Sequence, residues 1–175
     1  APSTTAVTAG PGPAEKIKVG FPVALSGFFS VQDVVCAEEM KILTEMINEQ
    51  GIMIKDKRYE IELFEEDIKS TFDGVSAAIN TLIYDKGVKF MIGPSAFFNP
   101  PASPLTNQNK VLHFINFSTL KPGECDGTTP YTYWTRSQWP SMVSQYGVFL
   151  QENYPELGKK WAIIAVDDGG IPGMQ

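Results

Sequence analysis

Lys16-Ile17-Lys18-Val19-Gly20-Phe21-Pro22-Val23-Ala24-Leu25-Ser26-Gly27 is the stretch from which the fold can be read. It is a short apolar run that ends in small residues, and a helical pattern begins near Asp33. A strand that stops at Ser-Gly and feeds a helix is expected to leave backbone N–H groups free for a ligand. The same punctuation returns at Ile92-Gly93-Pro94-Ser95-Ala96 and at Ile115-Asn116-Phe117-Ser118-Thr119. Three small or polar strand ends in series point to a binding edge.

Working outward, strand and helix patterns alternate. Ile17–Val23 is predicted as the first strand. From residue 33 to about 50, Cys36, Met40, Leu43 and Ile47 recur at helical spacing. Asp33 is placed to cap that helix and Gly51 to end it. Tyr59, Ile61 and Leu63 alternate with Arg58, Glu60 and Glu62, which predicts a strand over Arg58–Phe64. Ser70 or Thr71 caps a second helix, with Val75, Ile79, Leu82 and Ile83 on one face and Gly87 at its close. Val88–Ile92 and Val111–Ile115 are predicted strands, and Pro100-Pro101 can open a helix between them. Tyr131–Arg136 is extended, Trp139-Pro140 starts a further helix, and Trp161–Val166 is a strand running into Asp167-Asp168-Gly169-Gly170. This alternation predicts an α/β fold: a doubly wound, mainly parallel sheet with helices on both faces. Ligands bind such sheets beyond the carboxyl ends of the strands.

The 175 residues suffice for a sizeable core, and 43% hydrophobic with 19% charged residues describes a globular chain. A net charge of −6 argues against a nucleic-acid partner. No apolar run is long enough to span a membrane, and no signal-peptide pattern is present. Residues 1–15 are small and polar, and are expected to form a flexible tail: a mature terminus, a spacer to a lipid anchor or an ordinary frayed end. Cys36 and Cys125 form no C-x-x-C pair; a disulfide between them is one option in an exporting cell.

Catalytic motifs are missing. There is no G-x-S-x-G elbow, no G-x-x-x-x-G-K-[ST] loop and no G-x-G-x-x-G after the first strand. Glu65-Glu66-Asp67 could hold a metal or act as acid and base, but carboxylates at a strand end more often face solvent, with Asp67 capping the turn. His113, the sole histidine, lies in an apolar strand pattern and reads as a core residue. Asp167-Asp168-Gly169-Gly170 lacks calcium-loop spacing. What remains at the strand ends are hydroxyls and aromatics. The candidate ligand-binding residues are Ser26, Phe28, Phe29, Ser95, Ala96, Phe97, Ser118 and Thr119. Hydroxyls and N–H groups can hold a carboxylate, and aromatic rings can wall an apolar side chain. No cofactor or metal is called for.

These residues carry a resemblance. Ile17-Lys18-Val19-Gly20 with Leu25-Ser26-Gly27 is similar to the opening of the branched-chain amino-acid (Leu/Ile/Val) type periplasmic binding proteins. Ile47–Ile52, Asp67, Phe90–Pro94 and Trp161–Asp167 resemble later segments of that family in order and spacing. The resemblance implies two α/β lobes closing over a small-molecule solute, export to the periplasm and delivery to an ABC transporter permease. Contact with the membrane would run through that permease or a lipid anchor. On this pattern 16–136 forms most of the first lobe, without its C-terminal return, and 137–175 begins a second, truncated lobe. The loops after the third and fourth strands would grip the solute through Ser95, Ala96 and Phe97 and through Ser118 and Thr119. Ala96-Phe97-Phe98-Asn99-Pro100 replaces a hydroxyl-rich run, and Ile171 stands where amino-acid binders often carry tyrosine. Both lean away from an amino acid and toward a more apolar or aromatic solute, an aromatic carboxylate among them. A ligand-sensing domain of a receptor or regulator is the alternative, and an enzyme ranks last.

Overall fold

The computed structural model describes residues 13–94, 98–115, 127–135 and 139–156. Among the described residues six strands form one sheet: β1 (Glu15–Val23), β2 (Ile52–Ile54), β3 (Lys57–Asp67), β4 (Phe90–Ile92), β5 (Leu112–Ile115) and β6 (Thr132–Trp134), in the order β2-β3-β1-β4-β5-β6. All neighbours are parallel except the β2–β3 hairpin. The expected doubly wound α/β sheet is therefore present.

The helices are α1 (Ser30–Gln50), α2 (Phe72–Asn80), α3 (Asn99–Gln108) and α4 (Trp139–Asn153), and α2 runs on into a π-helical turn over Thr81–Asp85. Local chemistry sets several ends. The Gly51 N–H closes α1 on the Ile47 carbonyl. Thr71 caps α2 by accepting from the Gly74 N–H at 2.9 Å. Pro100 and Pro101 occupy the first turn of α3.

Two apolar layers sandwich the sheet. On one face Phe21 and Val23 pack with Ala37, Cys36 and Met40 of α1 and with Leu63 and Ile92. On the other, Val75 and Ile79 of α2, Leu82 of the π-helical turn and Ala102 of α3 bury against Met91 and Val111.

Three expectations need correction. Asp33 does not cap α1: the helix starts at Ser30, and Asp33 is buried inside its first turn. Leu43 and Ile47 are not on the buried stripe, being 50% and 39% exposed. The sheet lies instead against Ala37, Cys36 and Met40, because a small residue at 37 lets the helix sit close to Phe21 and Val23. The strand β2 was not anticipated; three residues are too few to show a period. It turns back through Lys55 and Asp56, with Lys55 at φ 55°. Trp161–Val166 and the Asp167–Gly170 turn lie outside the described residues.

Candidate functional site

The sheet order reverses between β1 and β4, since β1 leads through α1 to the β2–β3 side while β4 and β5 lie on the other. Open α/β sheets take ligands at such a reversal, beyond the carboxyl ends of the strands. A cavity of about 70 Å³ opens there, lined by Val23 of β1, Ile92 of β4, Gly93, Pro94, and Gln32, Asp33 and Cys36 of α1.

The β1–α1 loop is held on both sides by carboxylates. The Ala24 N–H donates to Asp33 Oδ2 at 3.1 Å. Asp67, at the end of β3, accepts from the N–H groups of Leu25 at 3.0 Å, Ser26 at 3.2 Å and Lys69 at 2.8 Å, and from the Ser26 hydroxyl at 2.6 Å. Partial burial pushes the Asp67 carboxyl up, but the bonds from Ser26, Lys69 and Leu25 outweigh it and hold the group below its ordinary value. Ser70 completes the tie: its hydroxyl donates to the Ser26 carbonyl at 2.8 Å and accepts from the Phe29 N–H at 3.0 Å. The expectation of free N–H donors at this strand end is corrected for residues 24–26. Three consecutive N–H groups there are already satisfied by side chains.

The aromatic candidates gather. Phe28 and Phe29 meet edge to face at 5.3 Å, Phe29 and Phe98 at 5.3 Å, and Phe98 and Phe72 at 5.8 Å. Phe98 is buried at the start of α3, whereas Phe28 and Phe72 are exposed. The row links the loops entering three helices along one end of the sheet. Ser26 joins this end through Asp67. Ser95, Ala96, Phe97, Ser118 and Thr119 lie outside the described residues, as does Cys125; among the described residues Cys36 forms no disulfide. Burial, then the carboxylates of Asp33 and Glu39, raise that thiol's pKa.

His113 is fully buried in β5. Its Nε2 lies 2.5 Å from the Gly93 carbonyl and its Nδ1 3.2 Å from the Thr106 hydroxyl. A carbonyl can only accept, so Nε2 carries the proton and Nδ1 is an acceptor facing the Thr106 hydroxyl, whose single proton is shared with the Ser103 and Ala102 carbonyls at 3.0 and 3.2 Å. Burial lowers its pKa to about 4, against the opposing pull of the Gly93 carbonyl. The neutral ring ties the β4 end to β5 and α3, in keeping with a core role.

Gln32, Asp33, Gly93 and Pro94 at the strand reversal, and Phe72 in the aromatic row, were not among the sequence candidates. Phe72 directly follows the capping Thr71, a place open to inspection in the sequence. The others become neighbours only once the strand order is known.

The family described as periplasmic binding protein matches residues 16–170. No curated protein matches. Among solved structures, the branched-chain amino acid transporter substrate-binding protein LivJ of Streptococcus pneumoniae, in complex with isoleucine, has a TM-score of 0.64 at 20% identity, over 79% of this chain and 39% of that one. A solute-binding protein of an ABC transporter from Rhodopseudomonas palustris BisB5, in complex with 3,4-dihydroxybenzoic acid, has a TM-score of 0.58 at 20% identity, over 79% and 37%. An extracellular ligand-binding receptor from Rhodopseudomonas palustris HaA2 has a TM-score of 0.62 at 12% identity, over 80% and 36%. The chain thus spans well under half the length of these proteins.

Proposed function

Because the chain belongs to the periplasmic binding protein family, we propose that it contributes one lobe of the extracytoplasmic solute-binding component of an ABC importer. In this proposal residues 16–136 form most of a first lobe, and the chain from 137 begins the second. A permease receives the solute, and binding is not followed by chemistry. The solute is a small amino-acid-like or aromatic carboxylate held in a cleft between lobes, with an aromatic acid favoured.

The observation that carries this is the aromatic row at the carboxyl end of the sheet. Phe28, Phe29, Phe98 and Phe72 lie in edge contact beside a loop anchored by Asp67. Such rings wall a flat or apolar group; with the donors of residues 24–26 already engaged by Asp33 and Asp67, Ser95, Ser118 and Thr119 are the residues assigned to a carboxylate in this proposal. The neighbour in complex with 3,4-dihydroxybenzoic acid supports this reading.

Thermal-shift measurements with 3,4-dihydroxybenzoate, isoleucine and leucine at millimolar concentration test the proposal. The aromatic acid is expected to raise the Tm most. Stabilisation by the amino acids alone would sink the aromatic preference, and stabilisation by none would sink the solute-binding role. The receptor-like neighbour supports a second reading, a ligand-sensing domain. A signalling domain in the full reading frame would favour it, and a permease gene alongside would favour import.

A further inference from the structure

Outside the candidate site, the long strand β3 has most of one edge unpaired among the described residues. Its inner side pairs with β1 along Tyr59–Asp67. Its outer side pairs with β2 only over Lys57–Tyr59. One residue pair farther on, the Asn48 side chain takes the place of a strand: its amide donates to the Ile61 carbonyl at 2.8 Å, and its oxygen accepts from the Ile61 N–H at 2.7 Å. Backbone groups alternate in direction along a strand, so those of Leu63 and Glu65 face outward as those of Ile61 do. Among the described residues no strand lies alongside them.

A groove of about 470 Å³ runs along this edge, between β3 and residues Lys41, Thr44 and Glu45 of α1, with Lys86 at its far side. Of its two lysines, only Lys41 is paired with carboxylates among the described residues. Lys41 is shared between Glu38 at 2.8 Å and Glu65 at 3.3 Å. Lys86 stands over the Phe64 ring at 5.8 Å from its centroid. Glu45, Glu62 and Glu66 make no ion pair among the described residues. The Glu65 Oε1 atom is buried without a hydrogen-bond partner.

We propose that this edge is a docking site for an extended, lysine- or arginine-bearing segment of a partner protein, which adds as a strand beside Leu63 and Glu65. Main-chain hydrogen bonds to an open edge supply affinity, and alternate side chains supply specificity. The excess of unpaired carboxylates selects basic residues at the alternating positions. A second copy of the chain is disfavoured. Antiparallel pairing of two β3 edges about Leu63 sets Glu60 opposite Glu66, and facing like charges destabilise a ladder.

Fluorescence anisotropy of the chain with a labelled five-residue peptide of alternating lysine and valine tests this, against a glutamate–valine control. The lysine peptide is expected to bind with a Kd below 1 mM and the control at least tenfold more weakly. Glu65→Pro removes an outward N–H while sparing the β1 ladder, and should abolish binding. If that variant loses its helical circular dichroism, Glu45→Gln with Glu66→Gln takes its place and should weaken binding at least threefold. Equal binding of both peptides, no binding of the lysine peptide, or wild-type affinity in the folded variants would overturn the proposal. So would a concentration-dependent dimer in sedimentation that Glu65→Pro dissolves.

Discussion

Replacing Asp67 should loosen the loop that builds one wall of the proposed cleft. One carboxylate there accepts four hydrogen bonds, from the N–H groups of Leu25, Ser26 and Lys69 and from the Ser26 hydroxyl, at 3.0, 3.2, 2.8 and 2.6 Å. A bond to a charged group contributes about 1.5–3 kcal/mol when buried. These donors lie near the surface, so water replaces part of each, and the four together should amount to about 2–4 kcal/mol. Asp67→Ala is therefore expected to lower the Tm by roughly 5–15 °C, at roughly 2–4 °C per kcal/mol for a chain of this size. Asp67→Asn keeps an oxygen for the N–H donors but loses the charge, and should cost about 1–2 kcal/mol.

Urea unfolding followed by circular dichroism gives the free energies, with Ser26→Ala and the double variant completing a cycle. Ser26 and Asp67 should couple by about 1 kcal/mol. The sign of the pH dependence follows from the depressed carboxyl. The stabilisation is fully present above the unfolded aspartate value near 3.9 and is lost as pH falls through the lower folded value. An Asp67→Ala variant within about 0.5 kcal/mol of the parent, or strictly additive effects in the cycle, would refute the latch.

Gly74→Ala should destabilise, although alanine in a helix ordinarily gains about 1 kcal/mol over glycine. A Cβ there would sit 2.0 Å from the Ile68 carbonyl and 2.8 Å from Thr71 Oγ1, breaking the cap. A loss of about 2 kcal/mol or more in chemical denaturation is expected, and a gain would count against the packing described. Gly27→Ala should cost about 1–3 kcal/mol, since Gly27 has φ +83° and its Cβ would meet the Lys69 carbonyl at 2.8 Å; a neutral melting curve would contradict this. His113, with a folded pKa of about 4, stabilises the chain above its unfolded value near 6.5, and that contribution falls as pH drops toward 4. Stability should decline by about 2 kcal/mol between pH 7.5 and 5 in urea titrations. A flat profile there would mean that the ring is not buried neutral.

Much of the fold was legible because its signals are local. Thr71, Gly51 and the Pro100-Pro101 pair act on backbone groups within one turn, so their meaning does not depend on distant packing. The alternation of strands and helices similarly implied a parallel sheet before any pairing was known. The candidate site was less legible. The small and polar ends of β1 and β4 pointed to the carboxyl end of the sheet, where the cleft is proposed, but the partners of the loop N–H groups were hidden. Asp33 and Asp67 are 34 positions apart, and each looked like the cap of its own segment. Asp67 reaches the first loop because β3 lies beside β1 with Val23 opposite Asp67, a register that no local pattern encodes.

The buried side of α1 shows the same division. Apolar residues at Leu43 and Ile47 satisfy helical spacing as well as Met40 does, and only the sheet's position chose Ala37 as the point of contact. The sequence by itself determined the alternation of the main strands and helices, the ends set by Gly51, Thr71 and Pro100-Pro101, and the sheet edge proposed for a ligand, because propensity, capping and periodicity act over a few residues. Tertiary structure decided the strand order, the carboxylates that hold Ser26, the assembly of Phe72 with Phe28, Phe29 and Phe98, and the open outer edge of β3. Each of these depends on which distant segments become neighbours, and burial and hydrogen-bond satisfaction across the whole sheet settle that.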